Sequence, residues 1–136
     1  TLYRPVGLKE LQLIIDSDYK KFPPRLEWQP IFYPVLNQEY AEQIAYKWNT
    51  GDEGSGYCGI VLKFDLPNEY LKKYDIQNVG GFIHNELWIP AEELDEFNNQ
   101  IIGKIQPVIA FAGNHFDSKM TDSATVVVNK LLNEVK

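Results

Sequence analysis

Leu2-Tyr3-Arg4-Pro5-Val6-Gly7-Leu8-Lys9-Glu10-Leu11-Gln12-Leu13-Ile14-Ile15-Asp16 reads as a short strand running directly into a helix. The first five residues are rich in strand formers, and Gly7 closes the run. Leu8, Leu11, Ile14 and Ile15 then recur at spacings that build one apolar helix face. A single glycine at the junction is not a glycine-rich phosphate turn, and no other strand in the chain leads into one. Neither a Rossmann nor a P-loop nucleotide site is therefore expected. Arg4 stands alone in an apolar strand, so it must face solvent, a partner or a ligand; a surface ion pair on an edge strand is the alternative.

Outward from this stretch, residues 20–30 hold Pro23-Pro24, Trp28 and Pro30 and read as an ordered aromatic loop. Residues 31–36 form a short edge strand, since Pro34 lacks a ladder donor, and Asn37 caps a helix through Trp48. That helix carries Tyr40, Ala41, Ile44, Ala45 and Trp48 on its apolar stripe. Residues 49–56, with Gly51, Gly54 and Gly56, read as a mobile polar loop. Residues 57–66 follow as a central strand, 68–74 as one or two helical turns, and 76–79 and 83–89 as strands bent apart at Gly80-Gly81. Pro90 suits the first position of a short acidic helix through Phe97. Residues 101–112 form the last strand, bent at Gly103, and after a polar connector Val127, Leu131, Leu132 and Val135 mark a C-terminal helix. Several short strands among helices fit α+β better than a doubly wound parallel sheet.

The 136 residues suffice for one domain with a core that needs no disulfide or metal. One cysteine, Cys58, and two histidines exclude a cysteine-rich zinc site, and they fit a reducing cytoplasm better than a secreted scaffold. No apolar run approaches the length of a membrane span. With 13 basic and 19 acidic residues the net charge is −6, which disfavours nucleic acid and anionic membranes as partners. Residues 1–26, however, hold five cations against three carboxylates and are net +2, so a small anion is best placed there.

Three places can carry chemistry. Arg4 is the first. The second is Gly80-Gly81-Phe82-Ile83-His84-Asn85-Glu86-Leu87-Trp88-Ile89-Pro90, where a period of two puts His84, Glu86 and Trp88 on one face; the alternative is an outward polar face. A carboxylate beside an imidazole can orient a hydroxyl or stabilise developing positive charge. The third is Ser55 and Tyr57, hydrogen-bond donors at the head of the central strand, although a serine between glycines is more often plain loop. Glu92, Glu93, Asp95 and Glu96 read as a solvated helix face, and His115 near Asp117 and Asp122 does not make a metal site. Trp28, Phe32, Tyr33, Tyr40 and Trp48 read mainly as core, with an aromatic wall for a planar ring as the alternative.

At Leu2-Tyr3-Arg4 and His84-Asn85-Glu86-Leu87-Trp88-Ile89-Pro90 the chain resembles the ADP-ribosyltransferase superfamily. Across residues 2–111 it is similar to small bacterial proteins catalogued as "ADP-ribosylation/crystallin J1", notably in Phe22-Pro23-Pro24-Arg25-Leu26 and Trp28-Gln29-Pro30-Ile31-Phe32-Tyr33-Pro34. The resemblance implies an ADP-ribosyltransferase-like split pair of small, mainly antiparallel sheets over residues 1–112, with residues 113–136 outside it. It implies NAD as the bound substrate, Arg4 and Tyr3 on its phosphate or ribose, Ser55 and Tyr57 beside it, and Glu86 on the nicotinamide ribose. His84 occupies the place of the residue that orients a protein or small-molecule acceptor, and the family's Ser-Thr-Ser triplet is absent. Arg4 and Glu86 are expected on neighbouring strands facing one cleft. The activity implied is ADP-ribose transfer or NAD hydrolysis; a noncatalytic NAD or ADP-ribose module is the alternative, and a protein interaction domain a third reading.

Overall fold

A computed structural model describes residues 1–134; Val135, the last residue of the expected helical set, lies outside the described residues. The chain folds as α+β around three antiparallel strands. Strand β1 (Leu2–Val6) pairs with β3 (Cys58–Asp65), and β3 with β7 (Ile102–Ala112). Two small pairs complete the sheets: β2 (Ile31–Phe32) with β6 (Ile89–Pro90), and β4 (Ile76–Asn78) with β5 (Asn85–Leu87). Single bridges at Val35 join Tyr3 of β1 to Glu86 of β5.

The central position of β3 follows from its sequence, because Cys58, Ile60, Val61, Leu62 and Phe64 are all buried and both faces are covered. Helix α1 (Leu8–Asp16) packs Leu11 and Ile14 against Ile60 and Leu62 on one face. Helix α2 (Gln38–Lys47) packs Ala41 and Ala45 against Val61 on the other. Asn37 caps α2 through its side-chain oxygen, which accepts from the Tyr40 N–H at 3.2 Å. Beyond β3, α3 (Asn68–Leu71) is one turn, and α4 (Leu94–Gln100) follows a short 3-10 turn after Pro90. Strand β7 bends where Gly103 takes φ +70°, beside a slip in its ladder with β3. Phe22, Phe32, Phe64 and Phe97 form one aromatic cluster with ring centroids 4.8 to 6.2 Å apart. Helix α5 (Ser123–Glu134) closes the core with Ala124, Val128 and Leu131, so the segment outside the family resemblance packs into the same core as α1.

Three expectations are corrected. Residues 49–56 are not a loose polar loop but two packed 3-10 turns, Asn49–Gly51 and Glu53–Ser55, held by hydrogen bonds among Asn49, Asp52 and Ser55. The strand expected over 83–89 is broken. Asn78 ties the hairpin by donating to Gly81 O and Asn85 Oδ1 and accepting from the Gly80 N–H, which leaves His84 in the turn. The chain then changes sheets at Trp88. Finally, Trp28, Tyr33 and Trp48 are 76%, 41% and 68% exposed, because the phenylalanine cluster already fills the core they were expected to join.

Candidate functional site

Arg4, Ser55 and Glu86, far apart in sequence, line one cavity of about 500 Å³ beside the start of α1. Gly7 makes the junction possible: a Cβ there would lie 2.5 Å from the Ser55 Cα, so only glycine lets the 3-10 turn close against the helix start. Lys9, Glu10, Arg25, Tyr33 and Trp48 complete much of the wall. Three cations and two carboxylates line it, so this region favours an anion although the whole chain is acidic.

Arg4 is 9% exposed and heavily engaged. Its Nε and Nη2 donate to the two oxygens of Glu10 at 2.7 and 3.0 Å, Nη1 donates to Tyr33 O at 3.5 Å, and the guanidinium lies 4.5 Å from the Phe32 ring centre. Three of its five N–H groups are used, which leaves two for a ligand. Arg25 donates through Nε to Ile31 O at 3.1 Å. Burial, and secondarily the Arg4 charge, hold its pKa below the usual arginine value. A second cation working against the first is the setting an anion relieves. Arg25 was missed as a site residue, although the N-terminal charge excess and its own resembling stretch both contained the signal.

Glu86 has the same 9% exposure but different company. The Trp88 indole N–H donates to Oε1 at 2.7 Å and the Tyr40 hydroxyl to Oε2 at 3.0 Å. Burial first, and then this carboxylate, push the Tyr40 phenol up to about 12, so it remains a donor through the neutral range. Neutral donors orient the carboxylate without cancelling its charge.

Arg4 and Glu86 do not stand on neighbouring strands of one face. Tyr3, Val35 and Glu86 are direct partners and share the face of α2, whereas Arg4, one step along β1, leaves on the face of α1. Both reach the cavity because it straddles the edge of β1, where pairing to the Val35 segment is limited to Tyr3.

The remaining candidates separate. Ser55 lines the cavity, but its hydroxyl donates to Asp52 at 2.7 Å and accepts from Asn49 at 2.9 Å. Tyr3 packs beneath α2 with Tyr40 and Val35 and does not line the cavity. Tyr57 turns away at φ +59° and rests its ring against His115 at 5.3 Å. His84 lines a shallower hollow of about 420 Å³ with Tyr40 and Gln43. The Gly81 N–H donates to its Nδ1, which leaves Nε2 to donate to Gln43 at 3.0 Å, and its ring lies 4.6 Å from that of Tyr40. Ile44 and Trp48 are common to both hollows. Among the described residues no group of three or more His, Cys, Asp and Glu side chains could hold a metal, and no helix is long and apolar enough to cross a membrane.

Comparison with known proteins returns no match: no family model, no curated protein and no solved structure is significantly similar to this chain.

Proposed function

We propose that the cavity binds NAD and that the protein is an ADP-ribosyltransferase-like enzyme, transferring ADP-ribose to an acceptor or to water. One observation carries this reading: Arg4, Ser55 and Glu86 converge on a cavity of about 500 Å³, a volume suited to a small ligand. Arg25 and Lys9 supply the charge for a diphosphate, and Arg4 supplies its two remaining N–H donors. Glu86, oriented by two neutral donors, supplies the counter-charge for an oxocarbenium at the nicotinamide ribose. As the glycosidic C–N bond breaks, its electron pair passes to the pyridinium nitrogen and neutralises it. An acceptor hydroxyl or water then adds at the same carbon and releases its proton to solvent. The position of His84 beside Tyr40, across the shared wall, supports a role toward an acceptor rather than toward NAD.

A noncatalytic nucleotide-binding module is the second reading. The Ser55 hydroxyl, whose single proton is spent on Asp52, and Arg4, paired with Glu10, favour it, since both are groups a catalyst would leave free. Nicotinamide release and calorimetric NAD binding, measured for the wild type and Glu86→Gln, separate the two. For the enzyme, the substitution lowers turnover by about two to three orders of magnitude while affinity holds within a few fold. Binding without release in either protein selects the module, and absence of NAD binding sinks both.

A further inference from the structure

Asn49 stands in the cavity wall at the head of the first 3-10 turn, 7% exposed, and was not among the residues singled out by sequence. Its amide orientation follows from its neighbours. Asp52 is a carboxylate and only accepts, so the single proton of the Ser55 hydroxyl is spent on it at 2.7 Å. The Ser55 oxygen can then only accept, which requires the Nδ2 end of Asn49 to face it, as observed at 2.9 Å. The Oδ1 end is left over. Among the described residues it is the one buried side-chain polar atom without a hydrogen-bond partner.

Such a group is costly unless something satisfies it, and native structures hold few of them. Asn49 lines the ligand cavity, and a small turn about its soft amide torsion opens Oδ1 toward that space while Nδ2 keeps its bond to Ser55. The missing partner is a hydrogen-bond donor. Asp52 behind Ser55 makes this end of the cavity rich in acceptors, so the donor should come from a group with N–H to spare and no negative charge.

Resting on the NAD reading, we infer that Asn49 is a specificity-determining residue whose Oδ1 accepts from the carboxamide N–H of the nicotinamide end. The diphosphate would then lie toward Arg4 and Arg25, and the carboxamide toward the 3-10 turn. Asn49 acts on which dinucleotide binds, not on bond cleavage.

The test compares NAD with its nicotinic acid analogue, in which a carboxylate replaces the carboxamide and no N–H remains. Calorimetry on the intact wild-type chain should show NAD binding tighter by about ten- to a hundredfold, the cost of leaving a buried acceptor unpaired. In Asn49→Ala, checked for an unchanged circular dichroism spectrum, the two ligands should bind within about twofold of each other. Equal binding of both dinucleotides to the wild type would overturn the role of Asn49 while leaving the NAD reading intact. A preference that survives in a folded Asn49→Ala would do the same, because the discrimination would then come from elsewhere. Binding of neither dinucleotide to the wild type would remove the NAD reading and this inference together. Should Asn49→Ala fail to fold, Asn49→Ser, whose shorter side chain does not reach the position of Oδ1, carries the same comparison.

Discussion

Two of the charged groups of the cavity, Arg4 and Glu86, are equally buried and oppositely treated. Arg4, on the α1 face, is neutralised by a two-pronged ion pair with Glu10 and covered by Phe32; Glu86, on the α2 face, meets only the neutral donors of Tyr40 and Trp88. An ion pair cancels most of its own field a few ångströms away, whereas a carboxylate fixed by neutral dipoles keeps its full charge. Arg4 is thus built first as a structural element with two donors to spare. Glu86 is built as a charge on display. Each site can be broken in a way that the other should not mimic.

The largest effect is expected on the Arg4 side. Glu10→Ala strips the guanidinium of two of its three hydrogen bonds and leaves a buried, uncompensated cation. Urea unfolding should show a loss of about 3 kcal/mol, the lower end of the range for breaking a buried pair. Arg4→Met combined with Glu10→Leu should recover most of that, since replacing both partners leaves no orphan. A loss below about 1 kcal/mol for Glu10→Ala, the scale of an exposed pair, would mean that Arg4 is not held by this pair.

Smaller losses are expected on the Glu86 side. Tyr40→Phe and Trp88→Phe each remove one donor and leave the other in place, so each should cost about 1 to 2 kcal/mol. The double variant should lose more than the sum, because Glu86 then has no donor and its burial becomes unfavourable. Either single variant matching Glu10→Ala would break the contrast between the two poles.

Much of this arrangement was legible in the sequence, for physical reasons that differ by residue. The helical spacing of Leu8, Leu11 and Ile14, the apolar run of β3 and the Asn37 cap are local signals, and all three reappear in the fold. Arg4 drew notice because a charge in an apolar strand needs a partner. The partner itself, six residues on in the next helix, depends on how α1 folds back over β1, which no local pattern contains. The faces of Arg4 and Glu86 were misread for the same reason: they hang on two isolated bridges at Val35, in a segment expected as strand over 31–36 of which only Ile31–Phe32 forms one. The packing of residues 49–56 was hidden by their glycines and polar side chains, which look like loop until Asn49, Asp52 and Ser55 close on one another.

The smallest and most specific effect is a change with pH in the stability gap between wild type and Tyr40→Phe. Burial, and then Glu86, raise the folded-state phenol from about 10 to about 12. A group whose folded pKa is raised contributes stability that is complete below the unfolded value and disappears as pH climbs through the folded one. The gap between the two proteins should therefore be constant from about pH 6 to 9 and shrink between about pH 10 and 12. Both proteins will also lose stability there for a shared reason, because burial raises the Tyr74 phenol and pushes the Cys58 thiol up to about 12. Only the difference between the two curves reports Tyr40. Urea titrations at half-unit steps of pH measure it directly. A gap that persists unchanged at pH 12 would show that the Tyr40 proton is not what joins it to Glu86, and the picture of a carboxylate held by neutral donors would lose one of its two supports.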